Sequence, residues 1–223
     1  FHDEMIHLLK DQPQLLPSFQ KLDPAAQELI YRATGLGHYG HMTHLEGNTE
    51  MFEPLKNSQV AQQKDTLAFN FDFLVHLCDI SGALGHVNYR SSLVMTKHTF
   101  ESTQCVKKAC LSVIEGSSLK EAYQFIAQAR AEKLNLEAQT AKGRVLNKLA
   151  CMLRLFTPQE GKALESSYEA LPADQQQALL YYFDAFSEFN FERTPTYVPA
   201  VLVNLINHPD LGETKELRIE KAL

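Results

Sequence analysis

Apolar residues recur along most of this chain at the three- and four-residue spacings of amphipathic helices. Met5, Ile6, Leu8 and Leu9 mark a short first helix over residues 1–10. Asp23-Pro24 reads as an N-cap with proline in the first turn, and Leu29, Ile30 and Ala33 follow on one face. Phe69, Phe71 and Phe73 alternate as in a strand. The apolar run from about Asp65 to Leu84 is too long for one, however, and keeps helical spacing from residue 74 onward. Thr96 or Thr99 opens a helix to about Glu115, and Ser118-Leu-Lys-Glu121 has the spacing of a capping box before Tyr123, Phe125, Ile126 and Ala129.

The second half repeats the pattern. Val145, Leu146, Leu149, Met152, Leu153 and Phe156 give the inner face of a helix placed between Leu136 and Phe156. Thr157-Pro158 caps the next, and a helix starting at 171–176 carries Leu179, Leu180, Tyr182, Phe183 and Phe186. The stripe of Phe183, Phe186, Phe189 and Phe191 reads as core. Pro199 before Leu202, Leu205 and Ile206 favours a short buried helix, and the charged stretch 213–221 is expected to fray. Asn48–Ser58, interrupted by Pro54, reads as a loop or short helix of a length that suits a lid. The expected fold is all-α, a multi-helix bundle in one domain, with a histidine-rich half over about 1–115 and a helical half over 116–223.

Composition narrows the partners. Apolar residues are 44% of the 223, charged residues 22%, and the net charge is −6. No lysine or arginine run is dense enough to track a nucleic acid, and no apolar run approaches the roughly 18 residues of a membrane span. Cys78, Cys105, Cys110 and Cys151 form no Cys-x-x-Cys pair and read as reduced thiols. With no charged-then-apolar leader in view, the expected compartment is the cytoplasm.

Histidine changes the picture. Eight of the nine lie in the first 98 residues, and six of the ten glycines lie between 35 and 85 beside them. On helices, the spacings of His38, His41 and His44, and of His76, Asp79 and His86, would each gather on one side. Two such faces turned together would collect five imidazoles and a carboxylate, a ligand set for one or two divalent ions (Zn, Mn, Fe, Ni or Mg). The glycines suggest close backbone approach there. Five crowded imidazoles should also resist protonation, so all five pKa values are expected below about 6.5.

The stretch Val75-His76-Leu77-Cys78-Asp79-Ile80-Ser81 resembles the helix that supplies the last metal-binding aspartate in the HD-domain superfamily, in the version found in cyclic-nucleotide phosphodiesterases. The resemblance covers about residues 35–86 and implies an all-helical, metal-dependent phosphohydrolase. It implies that Asp79 is a metal ligand and that His41 and His44 stand where the family's central histidines stand. His38 and His86 are the nearest candidates for its catalytic histidines, and either His7 or His38 for its first histidine. His44 is followed by Leu45 and Glu46 rather than by aspartate, and Glu46 reads as a further ligand, an orienting carboxylate or a solvated side chain. Arg90 and Lys97 are candidates for contacting a substrate phosphate. Two other readings stay open: a di-iron oxygenase of the same superfamily, and a non-catalytic helical regulatory or interaction module.

Overall fold

Side-chain caps open several helices, those at Ser118 and Thr157 where the sequence predicts them. Ser118 and Thr157 each accept from the third helical N–H while Glu121 and Glu160 bond back, two complete capping boxes. Thr96 and Thr140 accept in the same way before the helices that follow them, as Asp23 does in the first half. The computed structural model describes residues 2–82, 95–184 and 197–223.

Among the described residues there are fourteen α-helices and no strand. They are α1 (His2–Asp11), α2 (Pro17–Gln20), α3 (Pro24–Ala33), α4 (Tyr39–Thr43), α5 (Glu53–Lys56), α6 (Gln59–Gln62), α7 (Thr66–Gly82) and α8 (Lys97–Glu115), then α9 (Leu119–Leu134), α10 (Ala141–Met152), α11 (Pro158–Ala170), α12 (Ala173–Phe183), α13 (Tyr197–Asn207) and α14 (Lys215–Ala222). None is long and apolar enough to cross a membrane among the described residues.

The core has two clusters. In the first, α8 touches α4, α5, α6, α7 and α9, burying Tyr39, Met42, Phe52, Leu55, Phe69, Phe73, Val106 and Cys110. The second gathers Leu134, Val145, Leu146, Leu149, Leu153, Leu164 and Ile219 from α9, α10, α11 and α14. Helices α9 and α10 belong to both, since Ile126 and Cys151 lie in the first cluster. At their crossing Arg130 is 1% exposed, and donates to Ser102 Oγ (3.1 Å), the Leu155 carbonyl (2.8 Å) and Cys151 Sγ (3.3 Å). Its guanidinium also lies 4.6 Å from the Phe156 ring centre. Gly161 permits α11 to press on the end of α9, because a Cβ there would sit 2.2 Å from the Leu134 carbonyl oxygen.

Several expectations shift. The helix placed over 136–156 starts only at Ala141, after Asn135 closes α9 in the left-handed conformation. Phe125 and Tyr182, apolar positions of their helices, are 47% and 62% exposed. The 48–58 stretch is wall rather than lid, with Phe52 and Leu55 fully buried in the first cluster. The terminal charged stretch does not fray: it forms α14, Ile219 is fully buried, and Lys215 pairs with Glu160. Phe183 packs on the second cluster, while Phe186, Phe189 and Phe191 lie outside the described residues. All four cysteines are free thiols, with Cys110 and Cys151 buried and Cys78 exposed.

Candidate active site

The predicted two-turn histidine helix is shorter in the fold. Helix α4 spans only Tyr39–Thr43, so His38 precedes it and His44 follows it. Leu45 then turns the chain at φ 49°, a left-handed conformation uncommon for a branched residue. The Glu46 N–H returns to the His41 carbonyl at 3.0 Å. This turn brings the Glu46 carboxylate onto His41 Nδ1. The glycines do less than expected: among the described ones between 35 and 82, Gly37 and Gly47 are crowded, chiefly by the side chains of Met42, Met51 and Glu50.

His38, His41, His44 and Glu46 nevertheless line one cavity of about 440 Å³ with His76 and Asp79 from α7, Thr99 and Thr103 from α8, and Arg154. Six of the predicted site residues meet here. His86 and Arg90 lie outside the described residues. Lys97 does not line the cavity; its side chain is 85% exposed beside Glu101.

Two carboxylate–imidazole dyads face this space from different helices. In one, Tyr39 Oη donates to Asp72 Oδ2 at 2.7 Å, while His76 Nδ1 sits 3.0 Å from the Asp72 carbonyl oxygen and 3.4 Å from Asp72 Oδ1. The Tyr39 ring meets the His76 imidazole edge-on at 4.7 Å. In the other, Arg154 donates to Glu46 Oε1 at 2.6 Å, and Glu46 Oε2 holds His41 Nδ1. Arg154, itself at φ 57°, also donates to the Cys151 and Met152 carbonyls, and its own carbonyl accepts from Lys215. Both imidazoles are thus fixed through Nδ1, and Nε2 carries no hydrogen bond among the described residues.

Charge follows from these contacts. The Glu46 hydrogen bond raises the His41 pKa above its ordinary value against the cost of burial. Burial pulls His76 down, but its bonds to Asp72 outweigh that and leave it raised. Burial pushes Glu46 up, and the bonds from His41 and Arg154 more than reverse it. His44 is the opposite case: burial, then the nearby Arg154 charge, lowers it to about 3, and its Nδ1 is buried with no hydrogen-bond partner. The expectation that all five imidazoles are depressed is therefore wrong for His41 and His76. The cost of burial is outweighed there by the hydrogen bonds to Glu46 and Asp72.

Sequence reasoning missed Tyr39, Asp72 and Arg154. Asp72 could have been found, four residues before His76 on the same helix face. Arg154 follows Glu46 by 108 positions, and no local pattern connects them.

The donor chemistry of the cavity suits a divalent ion. Metal-bound imidazoles commonly hold a carboxylate or carbonyl at the other ring nitrogen, as His41 and His76 do here, and His44 is kept neutral as a ligand must be. Among the described residues, no three histidine, cysteine or acidic side chains stand gathered around a single point. An ion would have to draw them inward.

The chain belongs to the DUF6829 family. That family is described as one of unknown function, and its model matches residues 2–223. No curated protein and no solved structure matches the chain.

Proposed function

We propose that this DUF6829 chain is a metal-dependent hydrolase of a phosphate ester, with a nucleotide among the candidate substrates, working in the histidine-lined cavity. One observation carries the reading: imidazoles from α4 and α7 are each keyed at Nδ1 by an anchored carboxylate and line the same cavity. His41, His44, His76 and Asp79 would hold the ion, whose chemistry would be to acidify a bound water and neutralise phosphoryl charge. Tyr39 and Asp72 fix the His76 ring, and Arg154 with Glu46 fixes His41, so neither imidazole has to be ordered when substrate arrives. Arg154, which lines the cavity and donates to Glu46, is the cationic side chain an anionic ester would meet there. His38, which lines the same cavity, would return a proton to the leaving oxygen as the ester P–O bond breaks. The resemblance around His76 and Asp79 agrees with this assignment.

The test is elemental analysis of protein prepared without an affinity tag, with hydrolysis of bis(p-nitrophenyl) phosphate under added Zn, Mn, Fe, Ni or Mg. Asp79→Ala and His76→Ala should each cut metal content and turnover together. Unchanged metal content in both variants, with no hydrolysis under any of the five ions, overturns the reading. An iron-bound protein with a visible absorption band and no hydrolysis would move it to the oxygenase alternative.

A further inference from the structure

His38, His41 and Glu46 have a second cavity behind them. These three residues line both the histidine cavity and a neighbouring one of about 610 Å³. Its other walls come from Gly37, Gly47, Glu50, Met51, Glu53, Pro54, Asn57 and, from α13, Pro199. Its size falls in the range of small-molecule pockets, roughly 300–1,000 Å³. Its chemistry differs from that of its neighbour. Met51, Pro54 and Pro199 offer apolar surface, while Glu50, Glu53 and Asn57 offer oxygen acceptors, and no lysine or arginine lines it among the described residues. Glu50 spends Oε1 on the Asn48 N–H, and the nearest opposing charge, Lys148, is buried behind it and donates to Asn48 Oδ1. Glu53 is exposed.

We infer that this second chamber receives the alcohol half of the substrate, and that the alcohol has an apolar body bearing an ammonium group. The inference rests on the hydrolase reading for the phosphate end, since the shared wall puts the scissile bond beside His38 and His41. The apolar stem lies along Met51, Pro54 and Pro199. The ammonium meets Glu50 and Glu53, beside which no cationic side chain lines the chamber among the described residues. Gly47 keeps the entry narrow but open: a Cβ there would come within 2.5 Å of Met51 Cγ and 2.9 Å of Glu50 Oε1, forcing both into new positions. These residues decide specificity and touch no reacting atom.

The experiment compares 6-aminohexyl phosphate with heptyl phosphate, two esters of similar length that differ in the terminal charge. In the unaltered protein kcat/KM should favour the amine by about tenfold, one well-placed charge contact at roughly 1.4 kcal/mol per decade. The double variant Glu50→Gln/Glu53→Gln should bring the ratio to about one, through a loss of kcat/KM for the amine. Equal rates for the two esters, or a ratio that survives in the double variant, overturn the inference. A second readout does not depend on hydrolysis. With ¹³C-methyl methionine, and the Met51 signal assigned by Met51→Leu, titration with 6-aminohexanol should move the Met51 methyl resonance, and 1-heptanol should do so only at far higher concentration. No shift with the amine overturns the chamber assignment. A shift without hydrolysis of any ester keeps the chamber and removes the hydrolase reading alone.

Discussion

Replacing Tyr39 with phenylalanine removes one oxygen atom from beneath the cavity. The ring is fully buried and packs edge-on or tilted against Phe69, Phe73 and His76, so phenylalanine keeps its apolar contacts. What is lost is the 2.7 Å hydrogen bond to Asp72, whose side chain is only 9% exposed. A hydrogen bond to a charged group contributes about 1.5–3 kcal/mol, and a buried acceptor left short of a donor costs at the upper end of that range. For a chain of this size each kcal/mol lowers Tm by about 2–4 °C, so a loss of about 2 kcal/mol predicts a drop of about 4–8 °C. Burial and the Asp72 carboxylate both drive the Tyr39 hydroxyl far above its ordinary pKa, so it stays a donor throughout the accessible pH range. The deficit should therefore persist at pH 8.5. Losing the group that fixes Asp72 also frees the His76 ring, and metal affinity should fall by about 10–100-fold, the usual cost of removing an outer-shell partner. Calorimetry of the variant at two pH values, with zinc or manganese titration, checks both halves. A Tm within about 1 °C of the unaltered protein, together with unchanged metal affinity, would refute the reasoning.

Two further outcomes follow from single residues. His44, lowered to about 3, binds its proton more readily in the unfolded chain, so the stability it carries is complete above about pH 6.5 and lost as pH falls towards 3. His41 and His76, both raised, act in the opposite sense: their contribution is present below about pH 6.5 and lost as pH rises through their folded values. In chelator-treated protein His44→Gln should lose less Tm than the parent between pH 7.5 and pH 5, by an amount on the order of 2 kcal/mol, and identical losses would contradict the burial argument. Gly161→Ala places a methyl carbon 2.2 Å from the Leu134 carbonyl oxygen, which a backbone atom cannot avoid by changing rotamer. It should destabilise by about 1–3 kcal/mol in a denaturant melt, and a neutral result would mean the two helices are not pressed together there.

The helices were largely legible because their signals are local. The capping boxes at Ser118 and Thr157 and the caps at Asp23 and Thr96 lie within a few residues of the apolar runs they open. The histidine cluster was legible for a related reason, since His38, His41 and His44 stay together through a turn whether or not it is a regular helix. The left-handed Leu45 after α4 is what no helix angle would show, and it brings Glu46 back onto His41. What could not be read is the support behind them. Tyr39 reaches Asp72 across 33 positions and Arg154 reaches Glu46 across 108, and contacts of that separation leave no periodicity to find. The helical 213–221 segment failed for the same reason. Its charges suggest a solvated end, while Lys215 finds Glu160 and Ile219 finds the second core.

Lys215 gives that last helix a reach well beyond its own packing. Its ammonium holds the Arg154 carbonyl, Arg154 holds Glu46, and Glu46 holds His41. The end of the chain and the rim of the cavity are therefore mechanically in series. A cleavage after Gly212 would leave every cavity-lining side chain in place, yet it would release the left-handed residue from which Arg154 projects. Protease trimming, or a bulky fusion that pulls α14 from its groove, would then register as a loosened His41 about 170 positions before the cut.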